Sequence, residues 1–124
     1  MMRKIFILAI LAFAVFISGC EKDEYYIKYG VRYDSRYYNV ELDITYNNET
    51  NKPTSISPTD SWVLTIGPVF DDFNASLSAA TTKDPGGTLK ANIQVSKNDG
   101  PFVMKASGES DTSEPVEIEY TIDF

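Results

Sequence analysis

The sequence predicts an all-β protein: a single Ig-like antiparallel β-sandwich of about seven or eight strands after a cleaved signal peptide. Apolar and polar residues alternate in short segments throughout residues 25–124, which is the period of a strand with one buried face. Turn-forming residues separate these segments at intervals of about eight to twelve residues. No segment after Cys20 has the apolar spacing of an amphipathic helix.

The first predicted strands are rich in aromatic and β-branched residues. Residues 25–34 place Tyr25 and Ile27 on one face and charged residues on the other, and residues 40–46 repeat this alternation. Residues 54–57 lie between two prolines and form a candidate short edge strand. We therefore expect the first two strands to bury one face each.

The later segments continue the alternation up to the last residue of the sequence. Gly67-Pro68 is expected to end the strand that begins at Ser61. Asn98-Asp99-Gly100 predicts a type I′ hairpin, because the Asp99-Gly100 step tolerates the positive φ values of that turn. The predicted core consists of Val40, Leu42, Ile44, Trp62, Leu64, Ile66, Leu77, Leu89, Ile93, Val95, Phe102, Met104, Val116, Ile118 and Tyr120.

The first 19 residues have the composition of a bacterial secretory signal. Two basic residues, Arg3 and Lys4, precede an apolar run from Ile5 to Ile17 that is short for a membrane span. Small residues then precede Cys20. We expect cleavage before Cys20. The alternatives are an ordinary signal peptide or a transmembrane helix that contains a chance cysteine.

Ile17-Ser18-Gly19-Cys20 resembles the lipobox of bacterial lipoproteins, with Ile where Leu is commonest. The resemblance implies that the Cys20 sulfur is acylated with diacylglycerol, that residues 1–19 are removed, and that the new amino group is acylated as well. Two or more acyl chains anchor a protein stably. Cys20 is the only cysteine in the chain and therefore has no disulfide partner within it.

Lys22, Asp23 and Glu24 follow the lipobox after a single residue, Glu21. This stretch resembles the export signal of surface lipoproteins in Bacteroidetes, which implies display on the outer face of the outer membrane. The alternatives are a solvated linker and a protein on the periplasmic face. The expected organisation is a signal peptide at 1–19, a lipidated cysteine with an acidic linker at 20–24, and a β-sandwich domain at 25–124.

Composition excludes several classes of function. The chain has 18 acidic and 11 basic residues, and cleavage removes two of the basic ones, which argues against a nucleic-acid partner. The absence of histidine excludes a Ser-His-Asp triad and a histidine-ligated zinc. We expect a non-catalytic protein without a metal or other cofactor. The alternative is a glycosidase that uses only carboxylates.

Candidate contact residues lie in loops, because loops on a rigid sandwich often carry function. The candidate loops are 47–52, 69–73 and 81–87. A carboxylate pair in the second of them could hold calcium or act as an acid and base, but such a pair is more often a solvated corner. The candidate binding surface consists of Phe70, Asp71, Asp72, Phe73, Tyr26 and Tyr38. The alternatives are that both phenylalanines cap the core and that the tyrosine-rich first segment is buried.

Several short motifs follow one another in an order that matches a known family. They are Val31-Arg32-Tyr33, Asp43-Ile44-Thr45-Tyr46-Asn47 with Glu49-Thr50-Asn51, Ser61-Trp62, Leu77-Ser78-Ala79, and Asn92-Ile93-Gln94-Val95 before Asn98-Asp99-Gly100. This order resembles the soluble domain of the MmpS family, small β-sandwich proteins that accompany RND-type lipid and siderophore exporters in mycobacteria. Related small lipoproteins occur in Bacteroidetes. Mycobacterial members have a transmembrane helix where this chain has the lipobox, and several have a cysteine pair that this chain lacks.

The resemblance implies an accessory role beside an envelope transporter. A surface adhesin or a glycan-binding module is the alternative. In either case we expect a protein or glycan partner, and contact with the membrane through Cys20.

Overall fold

A computed structural model describes residues 22–34, 40–82, 87–111 and 114–123. Within these ranges the chain forms eight strands and no helix. The strands are β1 (Tyr25–Asp34), β2 (Leu42–Asn47), β3 (Pro53–Ile56), β4 (Ser61–Val69), β5 (Asn74–Thr81), β6 (Thr88–Lys97), β7 (Val103–Asp111) and β8 (Val116–Thr121). The predicted signal peptide, Cys20 and Tyr38 lie outside the described residues. No described segment is a helix long and apolar enough to cross a membrane.

The eight strands form two four-stranded antiparallel sheets that pack against each other. Sheet I has the order β4-β1-β6-β7 and sheet II the order β3-β2-β5-β8. The pairs β1–β4, β2–β5 and β5–β8 correspond to the B–E, C–F and F–G pairs of an Ig domain. The β6–β7 hairpin lies on the side of β1 where an Ig domain has strand A. The predicted antiparallel β-sandwich is confirmed.

The inner faces of the two sheets form one core around the aromatic side chains of β1. The Tyr29 ring is fully buried and stacks on Trp62 of β4 with 6.5 Å between ring centroids. Tyr46 of β2 completes the cluster, 5.5 Å from Tyr29 and 5.2 Å from Trp62. The Tyr29 hydroxyl donates a hydrogen bond of 2.7 Å to the Asn47 carbonyl, which satisfies its polar end. Burial raises the pKa of Tyr29, so the phenol remains a donor.

Two residues predicted for the core, Phe102 and Met104, are instead exposed by 39% and 53%. A bulge in the β6–β7 pairing explains the error. Ile93 pairs with Ala106 but the next residue, Gln94, pairs with Met104, so β7 has one extra residue at this point. An extra residue inverts the alternation of side chains along a strand. Met104 therefore lies on the outer face beside Gln94.

Strand β4 is longer than predicted. It continues through Gly67 and Pro68 to Val69, because β4 is an edge strand and tolerates a residue without an N–H. Gly67 has a φ of +139°, and a Cβ atom there would lie 2.7 Å from Cδ1 of Tyr26. This close approach requires glycine. The edge position also leaves Trp62 and Leu64 only half-buried.

Candidate binding surface

The strand order brings two of the three predicted loops together at one end of the sandwich. This end, which we call the amino-terminal end, contains residues 22–24, the β2–β3 loop, the β4–β5 turn and the β6–β7 turn. The predicted loops 47–52 and 69–73 both lie here. The third predicted loop, 81–87, begins at the opposite end, and its residues 83–86 lie outside the described part of the chain.

An open pocket of about 280 Å³ lies between the β2–β3 loop and the β4–β5 turn. Phe70 is 47% exposed at this site, whereas Phe73 is half-buried and packs against the core. The two rings therefore differ: Phe73 caps the core and Phe70 is available for contact. The pocket is lined by Glu49, Asn51, Pro68, Val69, Phe70, Asp71, Asp72 and Phe73.

Backbone hydrogen bonds fix the β4–β5 turn that carries Phe70. The Phe73 N–H donates to the Phe70 carbonyl over 3.2 Å, which closes the turn. Ile122 holds the turn from the far side: its carbonyl accepts from Asp72 and its N–H donates to Phe73. Asp72 has a φ of 70°, a conformation that aspartate tolerates better than most residues. Phe70 is thus presented by an ordered turn.

Asp71 makes a structural contact with the first strand. The Tyr25 hydroxyl donates a hydrogen bond of 2.9 Å to Oδ1 of Asp71. Tyr25 is only 2% exposed, and burial, followed by the bond to Asp71, raises the pKa of Tyr25 to about 12. The phenol therefore stays protonated at neutral pH and keeps Asp71 in place.

Asp72, the second carboxylate of the predicted pair, is exposed. Among the residues that the structure describes, no group of three or more His, Cys, Asp or Glu side chains is arranged to hold a metal ion.

Two asparagines organise the opposite wall of the pocket. Oδ1 of Asn48 accepts hydrogen bonds from the backbone N–H groups of Thr50 and Lys52, at 3.0 and 3.1 Å. Asn47 is buried and its amide donates to the Asn74 carbonyl and to Oδ1 of Asn51, each over 2.7 Å. The loop 47–52 was predicted from its turn-forming residues and was a candidate contact loop, but the hydrogen bonds by which Asn47 and Asn48 hold it were not predicted.

The predicted export signal lies against the β6–β7 turn. Asn98 exchanges two hydrogen bonds with the Glu24 backbone and donates a third, of 2.9 Å, from its side chain to Oδ1 of Asp23. Oδ2 of Asp23 lies 3.6 Å from the Lys97 ammonium. The bond from Asn98, with help from Lys97, lowers the pKa of the Asp23 carboxyl. Lys22 is exposed, and the contacts of this segment with the β6–β7 turn are made by Asp23 and Glu24.

Tyr26, the remaining described member of the candidate surface, is half-buried. It lies on the outer face of sheet I, next to Gly67, and not in the pocket. The structure therefore brings together Phe70, Asp71, Asp72 and Phe73, and places Tyr26 on a neighbouring surface.

A second concavity, of about 440 Å³, bears on the glycosidase alternative. It lies on the outer face of sheet II and contains Glu117 and Glu119, which point the same way from β8. Two positions on a strand place such carboxylates about 7 Å apart, which is within the glycosidase range. Both side chains are exposed, however, whereas a general acid of this class needs a buried carboxyl. The two carboxylates therefore have the spacing of a glycosidase pair but not the burial that its general acid needs.

Comparison of the chain with models of known protein families finds no match, and comparison with curated proteins finds none either. The resemblance to the MmpS family and to Bacteroidetes lipoproteins therefore stays a prediction.

Proposed function

We propose that this protein is a lipid-anchored outer-membrane lipoprotein that acts as a non-catalytic binding module for a membrane-embedded partner. The lipobox-like sequence at Cys20 supports the anchor. Four residues separate Cys20 from Tyr25, the first residue of β1, and such a segment spans at most about 18 Å. An acylated Cys20 would therefore keep the amino-terminal end of the sandwich close to the bilayer.

The observation that carries the proposal is the position of the pocket at this same end. Phe70 and the ordered turn that presents it lie at the end from which the chain runs to Cys20. A contact surface so close to the bilayer suits a partner that is itself in the membrane. An adhesin or a glycan-binding module would need a surface that faces away from its own membrane.

The acidic residues around the pocket indicate which kind of partner surface would bind there. Glu49, Asp71 and Asp72 line the pocket beside the Phe70 ring. An apolar ring with surrounding carboxylates suits a protein surface with basic residues around an apolar depression. A transporter of the RND type is the more specific partner that the family resemblance implies.

Photocrosslinking in cells tests this function. A photoreactive phenylalanine analogue would replace Phe70 in the full-length protein, and in a control it would replace Ser57, an exposed residue at the opposite end. We expect Phe70 to crosslink to an integral membrane protein and Ser57 not to do so. Asp71→Asn combined with Asp72→Asn is expected to reduce the Phe70 crosslink several-fold.

Crosslinks from Ser57 alone, or to partners that wash off membranes without detergent, would contradict a membrane-embedded partner. They would favour the adhesin alternative.

A further inference from the structure

We propose that an outer corner of sheet I, formed by Tyr26, Lys28, Phe102 and Met104, contacts the lipid bilayer and fixes the orientation of the domain. We call it the corner patch. The proposal rests on the lipid anchor proposed above. It adds a second membrane contact that the pocket and its partner do not require.

The first observation is the distribution of exposed apolar side chains. Two of them, Phe102 and Met104, lie on the outer face of sheet I where the chain enters the edge strand β7. Val103, between them, pairs with the buried Val95 and lies on the opposite face. Scattered exposed apolar residues are ordinary, but neighbouring ones on the same face form a surface suited to contact. The large exposed apolar side chains of the described residues are Val63, Phe70, Phe102, Val103 and Met104.

Geometry brings the corner patch together from two strands. Lys28 of β1 and Met104 of β7 flank Gln94 in one row across the outer face. The Lys28 ammonium lies 5.5 Å from the centre of the Phe102 ring, and Tyr26 lies two residues before Lys28 on the same face. The bulge that turns Met104 outward is what creates this grouping.

The chemistry of the patch suits the interfacial region of a bilayer. Tyrosine is enriched there, and a lysine can bury its methylene chain while its ammonium reaches the lipid phosphates. In the row formed by Thr65, Lys28, Gln94 and Met104, the lysine supplies the only charge. The far half of the same face has Arg32 and Lys90, but both form salt bridges with Asp34. Glu109 and Asp111 lie on the same half, so its cations are less available to lipid phosphates.

The short segment between Asp23 and Cys20 indicates that the corner patch contacts the bilayer. Asn98 holds Glu24 and Asp23 at the β6–β7 turn, only a few residues from Phe102. From Asp23 the chain reaches Cys20 in three steps, at most about 11 Å. The acyl chains would therefore enter the membrane beside the corner patch. A second copy of the chain is the other conceivable occupant, and the experiment below separates the two.

Fluorescence quenching in vesicles tests the patch with the acylated full-length product. Cys20 is the only native cysteine and its sulfur would be acylated, so Met104→Cys provides a single site for an environment-sensitive dye. Glu109→Cys is the matched control: it lies on the same face of β7, roughly 16 Å farther along the strand. Vesicles of phosphatidylethanolamine and phosphatidylcholine would contain lipids spin-labelled near the headgroup.

We expect quenching to be several-fold stronger at position 104 than at position 109, and Lys28→Glu to reduce the difference. Equal quenching at both positions in protein that co-sediments with vesicles would overturn the patch and leave the anchor intact. The dye at position 104 could instead be shielded from water but not quenched by the labelled lipids, in a protein that crosslinks to itself. That result would show that the patch contacts a second copy of the chain. Failure to co-sediment would contradict both the anchor and the patch.

Discussion

Replacing Cys20 with serine is expected to remove the protein from the outer membrane, or to leave it trapped with residues 1–19 still attached. The serine hydroxyl does not replace the thiol in acyl transfer, and no other cysteine is present to take its place. Membrane fractionation and gel mobility of the product measure the effect.

Gly19→Ala is the matched control, because it changes the adjacent position and keeps a small residue before the cleavage site. We expect this variant to be processed and anchored normally. A Cys20→Ser protein that is processed and remains with the outer membrane would show that anchoring does not depend on the lipobox.

Replacing Ile93 with alanine is expected to lower the free energy of unfolding by about 2–5 kcal/mol. Ile93 is fully buried on β6, between Tyr29 of β1 and Ala106 of β7. Neither neighbour can fill the space: the Tyr29 ring is held by Trp62 and by its own hydrogen bond, and Ala106 is small. Urea unfolding of residues 21–124, followed by the fluorescence of Trp62, measures the change.

Val63→Ala provides the control for this substitution, because it also shortens a β-branched side chain but at an exposed position on the edge strand β4. We expect it to change stability by no more than about 0.5 kcal/mol. A loss below about 1 kcal/mol for Ile93→Ala would contradict the central position of β6 in the core.

Local patterns in the sequence were sufficient to predict most of the fold. Alternation placed Ile27 of β1, Ile44 of β2 and Leu77 of β5 on buried faces, and each is in the core. The hairpin turn was also predicted, and the Gly100 N–H donates to the Lys97 carbonyl over 2.9 Å. The two central residues of this turn, which have positive φ, are Asn98 and Asp99. A turn centred on the Asp-Gly step would have them at Asp99 and Gly100, one residue later.

The bulge at Gln94 could not be predicted in this way. It depends on the register between β6 and β7, and the alternation of residues along β7 does not show where an extra residue is inserted. The interaction of Asn98 with Asp23 could not be predicted for a related reason. The two residues are 75 positions apart, and only the pairing of β1 with β6 brings them together.

The candidate surface was predicted only in part. The turn residues around Phe70 and the polar loop at Asn48 were recognisable from composition. Their meeting at one end depends on the strand order, which the local pattern does not specify. The different exposure of Phe70 and Phe73 follows from the turn: Phe73 precedes β5 and packs inward, whereas Phe70 follows β4 and points outward.

The mass of the amino-terminal peptide, measured on protein isolated from bacterial membranes, tests lipid anchoring most directly. We expect a peptide that begins at Cys20, lacks residues 1–19 and carries a diacylglyceryl group on sulfur, with a further acyl chain on the amino group. A chain that still begins at Met1, or a mature chain with an unmodified Cys20 thiol, would contradict the lipid anchor and with it the orientation of the amino-terminal end towards the bilayer.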